Sequence, residues 1–157
     1  MHAAYPGKMM EFFVSPVGRD TWSGTLAEPN ADGTDGPFAS IKGAQARLRN
    51  LKTRPAQLAT RHTVGGIAGP IVVWLRGGRY AVQEPIVFGP EDSLPVTYAA
   101  YPGETPVIDG GVRITGWETT EVNGRTAWVA ELPEAAAGKW HFRQLFVDGE
   151  RRSRPRF

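Results

Sequence analysis

Residues 71–111 read IVVWLRGGRYAVQEPIVFGPEDSLPVTYAAYPGETPVIDGG, and the rest of the architecture is worked out from them. Four short apolar runs, Ile71 to Leu75, Pro85 to Phe88, Val96 to Tyr101 and Pro106 to Ile108, are each closed by glycine, proline or small polar residues, which predicts four short strands and no helix. Val72 and Val96 open similar segments 24 residues apart, and Ile86 and Val107 open another similar pair 21 residues apart. Two strand types therefore alternate with a period in the twenties. Antiparallel hairpins would place turns every eight to twelve residues, whereas a repeat of about this length with glycine corners predicts coils that stack on one another. An irregular β-sandwich is the second reading of the same pattern.

Upstream, Glu11 to Pro16 (EFFVSP) reads as a strand after ten N-terminal residues without periodicity, which are expected to be disordered. A long Gly, Asp, Asn, Ser and Thr stretch follows and reads as loop. Ser40 is then placed to N-cap a helix from Ile41 to Leu51, with Phe38 just before it as a hydrophobic staple. Ile41, Ala44, Leu48 and Leu51 fall on one face, so this helix is amphipathic and is expected to cover the open end of the first coil. Residues 52–70, with two prolines and three glycines, read as a loop or insertion.

Beyond Gly111 the pattern changes to hairpins. Trp117 to Glu121, Asn123-Gly124 and Arg125 to Leu132 form one, and Gln144 to Val147, Asp148-Gly149 and Glu150 onward form the next. The segment PEAAAGKWHF between them has room for one helical turn. The expected division is thus 1–10 as a disordered N-terminus, 11–114 as cap and first coils, and 115–157 as an antiparallel subdomain. Because ERRSRPRF stops at Phe157 inside a strand-like run, a truncated product is expected.

Composition bounds the function classes. The 157 residues are 41% apolar and 22% charged, as in ordinary globular proteins, and 19 glycines with 13 prolines favour short strands and tight turns. No cysteine is present, so disulfides, thiolate chemistry and sulfur-bound zinc are excluded. A net charge of +2 does not point to nucleic acid, and no apolar run is long enough to span a membrane. The first ten residues lack the apolar core of a secretion signal, so the compartment stays open unless a longer protein supplies one.

FFVSPVGRDTWSGTL followed by DGPFASIKGAQ resembles the opening segment of right-handed parallel β-helix proteins of the pectate-lyase-like superfamily. VVWLRGGRY, VTYAAYPGETPVIDGG, ITGW and FRQLFVDGERRSR are similar to the N-terminal part of β-helix glycoside hydrolases of the xylosidase, xylanase and fucosidase type. The resemblance implies a mainly β fold: the start of a right-handed parallel β-helix with a capping α-helix, then an antiparallel β-rich insertion. It also implies action on plant or microbial polysaccharide, with catalytic carboxylates on later coils. No residue here is therefore assigned as catalytic, and the chain is expected to be a non-catalytic fragment. A carbohydrate-binding or structural β-helix module, or part of a polysaccharide lyase, is the alternative.

Glycoside hydrolysis needs two carboxyl groups about 5 to 9.5 Å apart. Glu104 and Asp109, which flank the run Pro106 to Ile108, are the first pair to inspect, although turn residues at coil corners are the plainer reading. Arg143, Arg151, Arg152, Arg154 and Arg156 concentrate positive charge, and Arg152 and Arg154 would share a strand face. A solvated face is the plainer reading, and binding of acidic sugar groups or phosphate the sharper one. Glu104, Asp109, Arg152 and Arg154 are thus the candidate substrate-binding residues.

No cofactor or metal is expected. His2, His62 and His141 lack ligand spacing, the glycine pairs lack a phosphate-loop pattern, and PNADGTDG departs from a calcium loop at its sixth position, so Asx turns are expected there. The five tryptophans are read first as core and second as a sugar-stacking platform. Polysaccharide or oligosaccharide is the expected partner, with no nucleic acid or membrane, and self-association is expected through the exposed coil edge.

Overall fold

The computed structural model describes residues 9–52 and 69–153, in two compact units, 1–112 and 113–157. The first unit holds β1 (Met10–Val14), α1 (Ile41–Lys52), β2 (Ile71–Leu75), β3 (Gly78–Ala81), β4 (Val96–Ala100) and β5 (Pro106–Asp109). The chain is mainly β. Its sheets are small, and all strand pairs of the first unit are parallel: β1, β2 and β4 form one sheet in that order, while β3 pairs with β5 in another. From β2 onward the chain alternates between the two sheets, since the β-branched runs of β2 and β4 end at glycine or proline corners.

Three of the four expected strands of 71–111 form, and one does not. Pro85 to Phe88 is irregular, and the second sheet is built instead from β3, the segment GRYA, which lies outside the four expected strands, and from β5. Pro85 brings no amide for a ladder. The carbonyl of Val87 is taken by α1, accepting from Gln45 Nε2 at 2.8 Å and Arg49 Nη2 at 3.2 Å. The register also differs from the motif spacing. Ile71, not Val72, lies opposite Val96, and Gly78 lies opposite Pro106.

Alternation decides which side chains go inside. Phe12 and Val14 of β1, Ile71 and Val73 of β2, and Tyr80 of β3 pack with Phe38 and with Ala44 and Leu48 of α1. Gly78 makes the corner into β3 with φ 126°, and a Cβ there would stand 2.7 Å from Pro16 Cγ, so only glycine fits. The turn delivers Tyr80 inward, where its hydroxyl lies 2.9 Å from the Val14 carbonyl and 2.7 Å from the Arg76 carbonyl. This links β3 to the first sheet. Burial pushes the phenol up to about 12.

The free backbone edge of β1 is covered by the long loop rather than by the helix. Phe13 donates its amide to the Gly24 carbonyl at 2.8 Å, and the Phe38 amide donates to the Phe13 carbonyl at 2.8 Å. Phe38 is therefore core, with its ring 6.1 Å from that of Phe12. Strand β1 begins at Met10, one residue before the expected Glu11, because the Met10 amide donates to the Pro70 carbonyl.

Ser40 caps α1 as expected, accepting from the Gly43 amide at 2.9 Å. It is itself held by Asp20, which accepts from the Ala39 and Ser40 amides and from the Ser40 hydroxyl. Besides its apolar face, α1 carries a polar stripe: Lys42 pairs with Glu84, Gln45 and Arg49 hold Val87, Arg49 grips Asp92, and Lys52 donates to the Pro90 carbonyl. That stripe straps down residues 84–92, including a single 3-10 turn at Pro90–Asp92. Asp92, facing the Arg49 guanidinium and the Gly89 amide, falls to about 2.

The second unit comprises β6 (Glu118–Val122), β7 (Arg125–Val129), the one-turn helix α2 (Pro133–Ala136), β8 (Leu145–Val147) and β9 (Glu150–Arg152). Both expected hairpins form. Asn123, Gly124, Asp148 and Gly149 all have positive φ, as two-residue turns of this kind require. None of this unit's described residues is buried. Nor is any of the five tryptophans, which overturns their reading as core: Phe, Val and Ile side chains fill that space.

Candidate functional site

The most highly connected polar group sits at the end of β2. Arg76 follows the outward-facing Trp74 by two residues and so emerges on the outer face of the three-stranded sheet. Its Nε donates to both carboxylate oxygens of Glu104 at 2.9 Å, and its Nη2 donates to Oε1 at 2.7 Å. Nη1 reaches the Ala27 carbonyl at 2.7 Å and Glu28 at 2.6 Å, while the guanidinium lies 4.7 Å from the ring centre of Tyr101. Tyr101 in turn meets Trp74 edge-on at 6.1 Å and Phe13 at 6.2 Å, and the Trp74 indole donates to Glu11 at 2.8 Å.

Glu104 also accepts from the Gly77 amide at 2.6 Å. Arg76 and this amide hold its carboxyl below the ordinary value, and Arg76 is itself raised, chiefly by Glu104. Such a carboxylate is ionised and saturated with donors. It fixes the β4–β5 turn to the end of β2, where Arg76 in turn holds residues 27–28, and it cannot serve as a general acid.

Asp109, at the end of β5, pairs with Arg79 of β3 and accepts from the Gly111 amide at 2.9 Å. Glu104 and Asp109 thus have different arginine partners. The five residue steps from Glu104 to Asp109, mostly extended, span roughly 16 Å of backbone at about 3.3 Å each, and each carboxyl is held by its own arginine rather than turned toward the other as a hydrolytic pair needs. Asp35 and Glu84 are likewise held low, by Ser23 and Lys42 respectively, so these carboxylates are structural partners.

Arg152 lies on β9, 3.3 Å from Glu150. It lines an open cavity of about 500 Å³ with Trp140, His141, Phe142, Arg143 and Gln144, in which the Trp140 and Phe142 rings are 5.5 Å apart. Arg154 lies outside the described residues, as do His2 and His62. Sequence reasoning singled out Arg143, Arg152 and Trp140 without joining them. The tract WHFR, aromatic and basic residues in direct succession, is the signal that would have done so.

In PNADGTDG, Asn30 Oδ1 accepts from the Thr34 and Asp35 amides, and Asp35 accepts from the Ser23 amide and hydroxyl. Those oxygens form Asx-type turns. Among the described residues no group of three or more His, Asp or Glu side chains is placed to hold a metal ion, and no helix is long and apolar enough to cross a membrane.

No protein-family model matches the chain, and no curated protein matches it. A solved structure described as a glycoside hydrolase is similar to it with a TM-score of 0.69 and 30% identity, over 92% of this chain and 22% of that one. The likeness relates the chain to a glycoside hydrolase, of which it spans less than a quarter of the length.

Proposed function

We propose that this chain is the N-terminal part of a right-handed parallel β-helix glycoside hydrolase acting on plant or microbial polysaccharide, and that by itself it has no catalytic activity. The observation that carries the reading is the alternation of β2, β3, β4 and β5 between two parallel sheets, joined to the 30% identity with a glycoside hydrolase. Parallel crossovers are right-handed in about 98% of cases, which supplies the hand. The start of the coil is the end where this chain's own loop covers the edge of β1, whereas β4 and β5 each leave one backbone edge without a strand partner among the described residues. Further coils would stack on those edges, and a catalytic carboxyl pair would lie on them. Glu104, Asp109, Arg152 and Arg154 then have a supporting part: Glu104 and Asp109 set the coil corners, while Arg152 and Arg154 hold acidic or hydroxyl groups of the sugar chain.

The test is to read the coding sequence past Phe157 and assay the encoded protein on xylan and pectin for released reducing ends. Further glycine-cornered strands together with hydrolysis support the reading. Saturable glycan binding without product would replace it with a binding module, and an unsaturated, chelator-sensitive product would replace it with a lyase. The 157-residue chain alone is expected to release nothing and to associate through its free edges, seen as elution that shifts with concentration.

A further inference from the structure

Helix α1 has three stripes, and two of them are fully used. Ile41, Ala44 and Leu48 are buried in the core, and Lys42, Gln45, Arg49 and Lys52 strap residues 84–92. The third stripe, Gly43, Ala46, Arg47 and Asn50, forms one wall of an open cavity of about 560 Å³. Asp20, Thr21, Trp22 and Ser23 form the facing wall.

Arg47 is half-buried there, and its Nε is shut off from solvent with no hydrogen-bond acceptor among the described residues. The first unit has five described arginines. Arg49, Arg76 and Arg79 each hold a carboxylate. Arg19 and Arg47 do not, and both belong to the surroundings of Trp22, since the Arg19 guanidinium lies 5.3 Å from that ring's centre. Asp20, the acid among the residues that line the cavity, has its oxygens occupied by Ala39 and Ser40. Residues 1–8, 53–68 and 154–157 contain no Asp or Glu, so no side chain of those segments supplies the missing carboxylate.

We propose that this cavity binds a small carboxylate-bearing, hydroxyl-rich ligand, of the size of one sugar acid. With Nε closed to solvent, the terminal Nη1 and Nη2 of Arg47 are the prongs that pair a carboxylate, the Arg19 guanidinium beside Trp22 adds a second cation, and the Thr21 hydroxyl adds a polar contact. The volume falls in the range of small-molecule sites. Glu104 and Asp109 do not line it, and it does not rest on the hydrolase reading.

The test titrates the isotopically labelled 157-residue chain with sodium glucuronate, glucose and inorganic phosphate, following the side-chain N–H signals of arginine and tryptophan by NMR. Glucuronate is expected to move the Arg47 Nε and Trp22 indole signals together, and glucose to leave them unmoved. Arg47→Gln is expected to weaken glucuronate binding at least about tenfold, the loss of a charge-assisted pair. Arg47→Lys, which keeps the charge but not the fork, is expected to weaken it less, and it carries the test if the Gln variant fails to fold. Phosphate binding as tightly as glucuronate would overturn the proposal in favour of a general anion site. Glucuronate shifts confined to other residues, or affinity unchanged in both Arg47 variants, would overturn it outright.

Discussion

Tyr80→Phe isolates the tie between the two sheets. The substitution keeps the buried ring and removes only the hydroxyl that lies against the Val14 and Arg76 carbonyls. The Val14 carbonyl retains the Arg76 amide at 2.8 Å, so it is not orphaned. The cost is therefore one net hydrogen bond plus partial loss at the Arg76 carbonyl, about 1–2 kcal/mol in all. At neutral pH this should lower the urea midpoint by roughly 1 M for a domain of this size.

The pH dependence sharpens the prediction. The Tyr80 phenol is raised from 10.0 to about 12, first by burial and then by Glu104, so folding favours its protonated form. That contribution is fully present below pH 10 and is lost as pH climbs from 10 through 12. Two pKa units correspond to about 3 kcal/mol. Wild-type protein should thus be more stable than Tyr80→Phe at pH 9, and the difference should vanish or change sign by pH 12. Urea titrations followed by far-ultraviolet circular dichroism measure both, and the other tyrosines cancel in the difference. A gap that stays constant from pH 9 to pH 12 would refute the claim that the hydroxyl is buried and protonated against those carbonyls.

Gly43→Ala should go against helix propensity: an interior Gly→Ala gains about 1 kcal/mol in an open helix, but here the new Cβ would stand 2.2 Å from Asp20 Oδ1 and dislodge the clamp on Ser40. Melting curves should show Gly43→Ala destabilising in the wild-type background and stabilising in Asp20→Gly, which removes every Asp20 side-chain atom near the new Cβ, and the same sign in both backgrounds would disprove the clamp. For Glu104, whose carboxyl Arg76 holds below 4.5, the stabilisation is present above pH 4.5 and is lost as pH falls through the folded value. Arg76→Met should move the onset of acid unfolding to higher pH, and an acid limb that coincides with wild type would count against the ion pair.

The elements legible in the sequence are those written locally. Strands β2, β4 and β5 are β-branched runs between glycine and proline, α1 has its periodicity and its Ser40 cap, and the hairpins have Asn-Gly and Asp-Gly. What was not legible depends on partners far along the chain. GRYA carries no strand signal of its own until Tyr80 is seen to reach Val14, 66 residues away. Pro85 to Phe88 looks like a strand until Gln45 and Arg49 are seen to hold it, about 40 residues away. The role of Glu104 is set by Arg76, which is 28 residues distant. Charge type flagged Glu104 and Asp109 as candidates, but only geometry shows that each serves its own arginine.

The same distinction separates the two units. In the first, buried Phe, Val and Ile side chains are fastened by side chains that reach 20 to 66 residues along the chain, as Asp20 and Tyr80 do. In the second, the hairpin turns satisfy the local backbone, yet Trp128 stays 69% exposed and Phe146 57% exposed. A two-stranded hairpin without a buried face is marginal in water, so turn chemistry sets the shape of β6–β7 and β8–β9 without supplying their stability. Local encoding makes an element readable, and only long-range burial makes it stable. The first unit has both, and the second has only the first.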